Sequence, residues 1–153
     1  MARLSDMPEA LGQHLLNLPC EDMGTTPCGS GPPLSQRRVA IISTAGLGRR
    51  GEQGFSAGAG DYRVLPADLP HGEIVMSHIS VNYDRTGFQD DVNICFPLDR
   101  LKEMAADGEI GSVADFHYSF MGATDPAQMK DAVDSLAGPM KAEGVDAVVL
   151  IPV

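Results

Sequence analysis

Basic residues are scarce in this sequence. Its 153 residues include 11 Lys and Arg against 21 Asp and Glu, which gives a formal net charge of −10. Proteins bind nucleic acids and anionic membranes through clustered positive charge, so this balance argues against both partners. The short basic clusters, Arg37–Arg38 and Arg49–Arg50, are typical of solvated strand and loop ends rather than of phosphate sites.

Long apolar runs are also absent. No stretch reaches the roughly 18 consecutive apolar residues that a membrane-spanning helix needs. The first residues, Met1–Asp6, lack the apolar segment of a secretory signal peptide. We therefore expect a cytoplasmic protein that does not enter a membrane, and its apolar fraction of 43% is sufficient for a core.

Cysteine is rare as well. The three cysteines, Cys20, Cys28 and Cys95, are an odd number at unrelated spacings, and no C-x-x-C pair is present. This pattern favours reduced thiols over a disulfide framework, and it does not match the spacing of zinc ligands. The sequence also contains neither a G-x-S-x-G nucleophile motif nor a Walker A phosphate loop. We expect no metal and no bound cofactor in these residues.

The distribution of apolar residues predicts an α/β fold. Residues 38–44 and 147–153 are apolar runs, which are typical of buried strands in a parallel sheet. Helices are predicted over 4–17 with Ser5 as its N-cap, over 97–108, and from Asp125 onward, where Gly138–Pro139 is expected to kink or interrupt the helix. Shorter strands are predicted at four places: Tyr62–Leu65, Ile74–His78, Val92–Phe96 and Phe116–Phe120.

Two regions follow from this pattern. Residues 1–37 are predicted to form an N-terminal helix and an extended connector, and residues 38–153 an α/β domain with a predominantly parallel sheet and flanking helices. Ligands of such sheets bind beyond the carboxyl ends of the strands. The run 147–153 stops where a ligand-facing loop should begin, so we expect the domain to be incomplete at its C-terminal side.

A glycine motif follows the first predicted strand. The stretch Gly46–Gly51 matches G-x-G-x-x-G. A dinucleotide site also needs a helix that begins at the third glycine and points its N-terminus at the pyrophosphate. The residues that follow, 52–60, are rich in glycine and serine and have no apolar helical stripe. We therefore reject a dinucleotide site and predict a loop at the end of the strand.

Polar residues gather in two further places. His78, Asp84, Asp90, Asp91 and Asn93 surround a turn, and their spacing alone favours a polar loop with aspartates that cap turns over a metal site. In the strand Phe116–Phe120, alternation places His117 and Ser119 on one face. A partly buried, hydrogen-bonded structural histidine is the ordinary explanation for His117.

Four stretches together carry a family resemblance: Ala40–Leu47, His78 with Asp84, Asp91–Gly111 and Ser119–Gly122. They are similar to the glycine/sarcosine/betaine reductase component B and D-proline reductase family of selenoproteins. The resemblance covers about residues 38–153. Its most specific part is the D-x-N-x-x-x-P-L-D-R-L block from Asp91, followed by G-x-I-G and then S-F-M-G.

The resemblance implies where the nucleophile lies. In this family the strand written here as 147–153 is followed by selenocysteine or cysteine, then by a proline and a nearby cysteine. Selenocysteine is encoded by UGA, which is ordinarily read as a stop, so a reading frame that ends at Val153 is expected from that misreading. The family also implies a dithiol electron donor and partner subunits of a reductase. Its carbonyl-activating pyruvoyl group comes from a separate proenzyme, and no cleavage site for one is apparent here.

The implied function is reductive cleavage of a carbon–nitrogen or similar bond in a small amino-acid-like substrate. We assign His78 or His117 as the proton donor to the leaving group, and Asp91 with Asn93 as the residues that orient the substrate or the loop. The 153-residue chain alone is then expected to be inactive and to self-associate as a homo-oligomer. The alternative is a non-catalytic module of the same fold that binds a small molecule or another subunit.

Overall fold

The structure is a computed structural model that describes residues 4–17, 24, 29–81 and 83–153. These residues belong to two units, Met1–Ser30 and Gly31–Val153. Cys20 and Cys28 lie outside the described residues. The division predicted after residue 37 stays a prediction.

The first unit contains a 3₁₀ turn, Leu4–Asp6, and helix α1, Glu9–Leu16. The prediction that Ser5 caps this helix is wrong, because the helix begins only after Pro8. The residue before a proline is pushed out of the helical conformation, and Pro8 itself is extended with ψ at 137°.

The second unit is an α/β fold, as predicted. Its strands are β1 (Arg38–Ser43), β2 (Leu47–Arg49), β3 (Arg63–Pro66), β4 (Ile74–Met76), β5 (Ser112–Val113), β6 (Phe116–Ser119) and β7 (Ala147–Ile151). Its α-helices are α2 (Thr86–Asp90), α3 (Leu98–Ala106) and α4 (Pro126–Ala142). Further 3₁₀ turns lie at Leu34–Gln36, His71–Glu73 and Val92–Ile94.

Strand β1 is the centre of a mostly parallel sheet. Strand β7 runs parallel along one side of it, from Val39↔Ala147 to Ser43↔Ile151. Strands β5 and β6 are also parallel to β1 and pair with its first and last residues, respectively. Both lie on the side of β1 opposite β7. The backbone carbonyls of β1 that accept hydrogen bonds from β5 and β6 alternate along the strand with those that point toward β7. Strand β3 adds to β6 in the antiparallel direction.

Each face of the sheet has its own apolar cluster. On one face helix α4 covers Ile42, Tyr118 and Phe120 with Leu136. The other face packs Ile41 and Leu65 against Phe96 and the buried side of α3. The large apolar side chains of β7 are unevenly covered, since Leu150 is 68% exposed and Val148 39%.

The glycine motif forms strand and turn, not a helix. Residues Leu47–Arg49 pair antiparallel with β4 as a separate two-stranded sheet. The chain then turns at Gly51, whose φ is +87°. No helix begins at Gly51, as expected from the missing apolar stripe in residues 52–60.

Two other details differ from the sequence predictions. Residues Val92–Ile94 form a 3₁₀ turn instead of the predicted strand, because Asp91 accepts the N–H of Asn93 and nucleates a tight turn. Helix α4 continues through Gly138–Pro139, so the predicted interruption is wrong and the predicted kink stays a prediction. A proline ordinarily disfavours the helical conformation of the residue before it by crowding its Cβ. Gly138 has no Cβ, so the helix can continue there.

No helix in the part of the chain that the structure describes is long and apolar enough to cross a membrane.

Candidate functional site

The carboxyl ends of β1, β6 and β7 meet at one end of the sheet. We call this end the carboxyl edge: residues 44–46 after β1, 120–122 after β6, and 152–153 after β7. Backbone hydrogen bonds join the three segments, from Thr44 N to Ile151 O (3.0 Å), from Gly122 N to Thr44 O (2.8 Å) and from Gly46 N to Phe120 O (2.9 Å). Ligands of parallel α/β sheets bind at such an edge.

Thr44 holds the end of β7. The N–H of Val153 donates to Thr44 Oγ1 at 2.8 Å, and the same hydroxyl donates to the carbonyl oxygen of Val153 at 3.2 Å. The Thr44 hydroxyl therefore acts as acceptor and as donor toward the same residue, Val153.

Gly122 leaves no room for a side chain at the carboxyl edge. A Cβ added there would lie 2.3 Å from the Val153 carbonyl oxygen and 2.9 Å from that of Thr44. Both neighbours are backbone atoms, so neither yields without moving a strand. The small residue lets the segments after β1, β6 and β7 approach closely.

His78 lies beside this edge. The N–H of Ser77 donates to Gly46 O at 2.9 Å, and a Cβ on Gly46 would lie 3.0 Å from His78 Cα. The His78 side chain is 6% exposed, and its Nδ1 accepts the N–H of Ser80 at 3.2 Å. Its neutral form therefore carries the proton on Nε2, which has no hydrogen-bond partner among the described residues.

The environment of His78 opposes protonation. Burial lowers the pKa of its imidazole, and the charge of Arg85 lowers it further. Arg85 is held beside the histidine because its guanidinium donates to the His78 and Ser80 carbonyls at 2.6 and 2.9 Å. The ring of Tyr83 packs edge-on at 4.8 Å from the imidazole. The environment thus favours the neutral imidazole, which presents an N–H donor.

His117 lies inside the sheet. Its side chain is fully buried and its Nδ1 accepts the N–H of Ile41 at 3.0 Å, in the gap of the β1 ladder between β5 and β6. Phe96 covers the ring edge-on at 5.5 Å. Burial, with smaller contributions from Lys102 and Arg38, lowers the pKa of His117 to about 4.

Asp91 and Asn93 lie together in a capping network. Asn93 Nδ2 donates to Asp91 Oδ1 at 2.9 Å and to Asp99 Oδ2 at 3.1 Å, and Asn93 Oδ1 accepts the Asp99 N–H at 3.1 Å. These bonds secure the turn before α3, and those from Asn93 lower the pKa of the Asp91 carboxyl. Among the described residues, the hydrogen bonds of these two side chains do not reach His78 or His117.

Asp91 also lines an open cleft of about 400 Å³. The cleft carries cationic and anionic side chains and one aromatic ring; its lining includes Arg50, His71, Phe88, Asp90 and Asp91. In the described part of the chain, no group of three or more His, Cys, Asp or Glu side chains is close enough to hold a metal ion.

Cys95, the cysteine within the described residues, is buried beneath this network. Burial raises the pKa of its thiol, although a hydrogen bond with Tyr83 opposes that shift. A protonated, buried thiol is a poor nucleophile. The geometry therefore gives Cys95 a packing role.

The model of the glycine/sarcosine/betaine reductase selenoprotein B family matches residues 33–152. The chain belongs to this family. It is 31% identical over 120 residues to the D-proline reductase subunit gamma of Acetoanaerobium sticklandii, covering 76% of this chain and 49% of the relative. It is 30% identical over 124 residues to the glycine reductase complex component B subunit gamma of Carboxydothermus hydrogenoformans, covering 76% of this chain and 28% of the relative.

A third relative is the betaine reductase complex component B subunit beta of Peptoclostridium acidaminophilum, which is 26% identical over 123 residues and covers 76% of this chain and 28% of its own. The chain thus spans about half, or less, of the length of the curated relatives it matches. No solved structure matched the chain.

The family match includes most of the carboxyl edge. Thr44, Gly46 and Gly122 lie within the matched residues and in the stretches that carry the sequence resemblance. Thr44 and Gly122 are not among the site residues predicted from the sequence. A signal was present, because Thr44 ends the first strand and Gly122 ends the S-F-M-G block, but the contact of each with Val153 is visible only in the fold.

Proposed function

We propose that this chain forms part of a selenol- or thiol-dependent reductase that cleaves a carbon–nitrogen or similar bond in a small amino-acid-like substrate. The nucleophile is a selenocysteine or cysteine directly after Val153. The observation that carries this proposal is the position of Val153, held at the carboxyl edge beside Thr44, Gly122 and the segment that leads to His78. Membership of the family and the names of the three relatives support it.

The edge suits a reactive selenol or thiol. Such a group supplies an ionised nucleophile that bonds to the substrate carbon while the amine leaves with its electron pair and takes up a proton. A nearby thiolate then bonds to the selenium or sulfur, and the carbon leaves with the electron pair of the broken bond and takes up a proton from solvent. An external dithiol restores the pair. The Nε2 of His78 is a buried polar atom without a partner among the described residues, on a residue whose backbone lies against Gly46, and such an atom is costly unless a ligand or water satisfies it.

His78 is our first candidate for hydrogen-bonding the leaving group. Its Nε2–H donates to a group at the edge, and negative charge on that group favours the imidazolium and raises the pKa again. His117, the other candidate from the sequence, is fully buried, has a pKa of about 4 and supports Ile41, which favours a structural role. Asp91 and Asn93 are proposed to orient the substrate or the loop, because their hydrogen bonds fix the turn that lines the open cleft.

The test compares His78→Gln and His117→Gln in a chain translated past Val153 and assembled with its partner subunits. D-Proline, glycine and betaine serve as substrate probes, dithiothreitol as the donor, and the assay measures reduced product. We expect His78→Gln to lower kcat at least tenfold with an unchanged unfolding midpoint, and His117→Gln to lower the midpoint instead. Unchanged turnover in His78→Gln would overturn the role of His78, and an unchanged midpoint in His117→Gln would overturn the structural role of His117.

Exposed apolar side chains favour one alternative, a subunit-interaction module without chemistry. Leu150 and Val148 lie exposed on β7, and the relatives are named as subunits of reductases. Under this alternative the assembled complex keeps its turnover when the residue after Val153 is replaced by serine. Under our proposal that replacement abolishes turnover while assembly is retained.

A further inference from the structure

We propose that Thr44 is the positioning residue of the nucleophile, and that Thr44 and Gly122 together form a clamp on the backbone of Val153. This inference rests on the proposed function, because it assigns to the clamp the task of aiming the residue after Val153. Thr44 is proposed to act through backbone contacts and not to touch the substrate.

The first observation is that β7 leaves the regular ladder at this point. In a parallel pair the N–H of Thr44 bonds to Ile151 O, and the N–H of Val153 should bond in turn to Thr44 O. The first bond is present at 3.0 Å, but the Thr44 carbonyl accepts Gly122 N instead, at 2.8 Å. The Thr44 hydroxyl takes the place of the carbonyl, at 2.8 Å from Val153 N.

The second observation is that the backbone oxygen of Val153, which belongs to the terminal carboxyl group in this chain and to a peptide carbonyl when a residue follows, is confined from two sides. The Thr44 hydroxyl donates to its oxygen at 3.2 Å, and the backbone of Gly122 closes the other side so tightly that a Cβ would lie 2.3 Å from that oxygen. The intervening Pro152 fixes its own φ and has no N–H to donate. Both polar backbone groups of Val153 are therefore held.

Peptide planarity carries this restraint to the next residue. The carbonyl of Val153 lies in the same plane as the nitrogen and the Cα of the residue that follows it. A fixed carbonyl therefore fixes the starting point of the next side chain, and a displacement of about 1 Å at a reacting group can cost on the order of 100-fold in rate. The clamp stabilises one geometry for the nucleophile before substrate arrives.

The experiment has two arms and one set of variants. Thr44→Val removes the hydroxyl at nearly constant volume, Thr44→Ser keeps it, and Thr124→Val is the matched control. Thr124 is a buried threonine at the same end of the sheet whose hydroxyl donates to Ala59 O at 2.9 Å, not to Val153. All variants are first compared by thermal unfolding, so that loss of fold is separated from loss of position.

The first arm measures amide hydrogen exchange of Val153 in the 153-residue chain. We expect exchange at least tenfold faster in Thr44→Val and near the unmutated rate in Thr44→Ser and Thr124→Val. Equal exchange in Thr44→Val and the control would overturn the clamp. This arm does not depend on any residue beyond Val153.

The second arm measures dithiothreitol-dependent turnover in the chain translated past Val153, in its complex, with D-proline, glycine and betaine as probes. We expect Thr44→Val to lower kcat about 10- to 100-fold with KM changed less than threefold, and Thr44→Ser to restore most of it. Unchanged kcat in Thr44→Val, despite faster exchange in the first arm, would overturn the positioning role. Absence of turnover in the unmutated complex would defeat the proposed function and leave the first arm to decide the clamp.

Discussion

Replacing His117 by Asn tests whether this side chain supports the sheet or takes part in proton transfer. Its Nδ1 accepts the Ile41 N–H at 3.0 Å inside the core, and the imidazole has a pKa of about 4 against an ordinary value of 6.5. Between about pH 6.5 and pH 4, His117 is therefore protonated in the unfolded chain and neutral in the folded chain. Stability that is present above pH 6.5 is lost as the pH falls through that window.

The magnitude follows from the shift. A difference of 6.5 minus about 4 corresponds to roughly 3 kcal/mol of unfolding free energy once the pH is below the folded pKa, at about 1.4 kcal/mol per pH unit. In His117→Asn, the amide oxygen can still accept the Ile41 N–H, but nothing titrates there. We expect the stability advantage of the unmutated chain over His117→Asn to shrink by this amount between pH 7 and pH 4.

The assay is urea unfolding at half-unit pH steps, with His14→Asn as the control, because His14 is exposed on α1. Other groups titrate over the same range, so the decisive quantity is the difference between two chains at each pH. Parallel stability curves for the unmutated chain and His117→Asn would refute the assignment of His117 to the core ladder.

Three further outcomes are expected. Gly122→Ala should lower the unfolding free energy by about 1–3 kcal/mol in urea titrations, because its Cβ meets backbone atoms, whereas Gly72→Ala, with nothing within 4 Å, should change it by less than about 0.5 kcal/mol. Leu150→Lys should shift the 153-residue chain toward monomer in sedimentation, since Leu150 is 68% exposed, and a monomeric unmutated chain would contradict this. Asn93→Ala should lower stability by about 1–2 kcal/mol through loss of the turn before α3, and unchanged unfolding with weakened substrate binding would show a direct role instead.

The elements predicted well are those whose signal is local and repeated. The apolar runs at 38–44 and 147–153 become β1 and β7, and the stripe over 97–108 becomes α3. The burial predicted for both strands holds for β1, whereas β7 is only partly covered, with Leu150 68% exposed. Val92–Phe96 has the composition of a strand, but the hydrogen bond from the Asn93 N–H to the Asp91 side chain stabilises a tight turn there instead. Strand propensity does not take such a side-chain cap into account.

The site itself was only partly predictable. Alternation placed His117 and Ser119 on one face, and both are buried, with Ser119 Oγ accepting the Leu47 N–H at 2.8 Å. The contact between Thr44 and Val153 joins residues 109 positions apart, so no local pattern contains it. His78 was selected through the family resemblance, and its place against Gly46 follows from the pairing of β2 with β4.

The codons that follow the Val153 codon in the gene test the central claim most directly. We expect UGA, or a cysteine codon, then in-frame codons for a proline and a nearby cysteine. We also expect no dithiol-dependent activity from the 153-residue product alone. A UAA or UAG codon directly after Val153, or no open frame beyond it, would contradict the account and favour the subunit-interaction module.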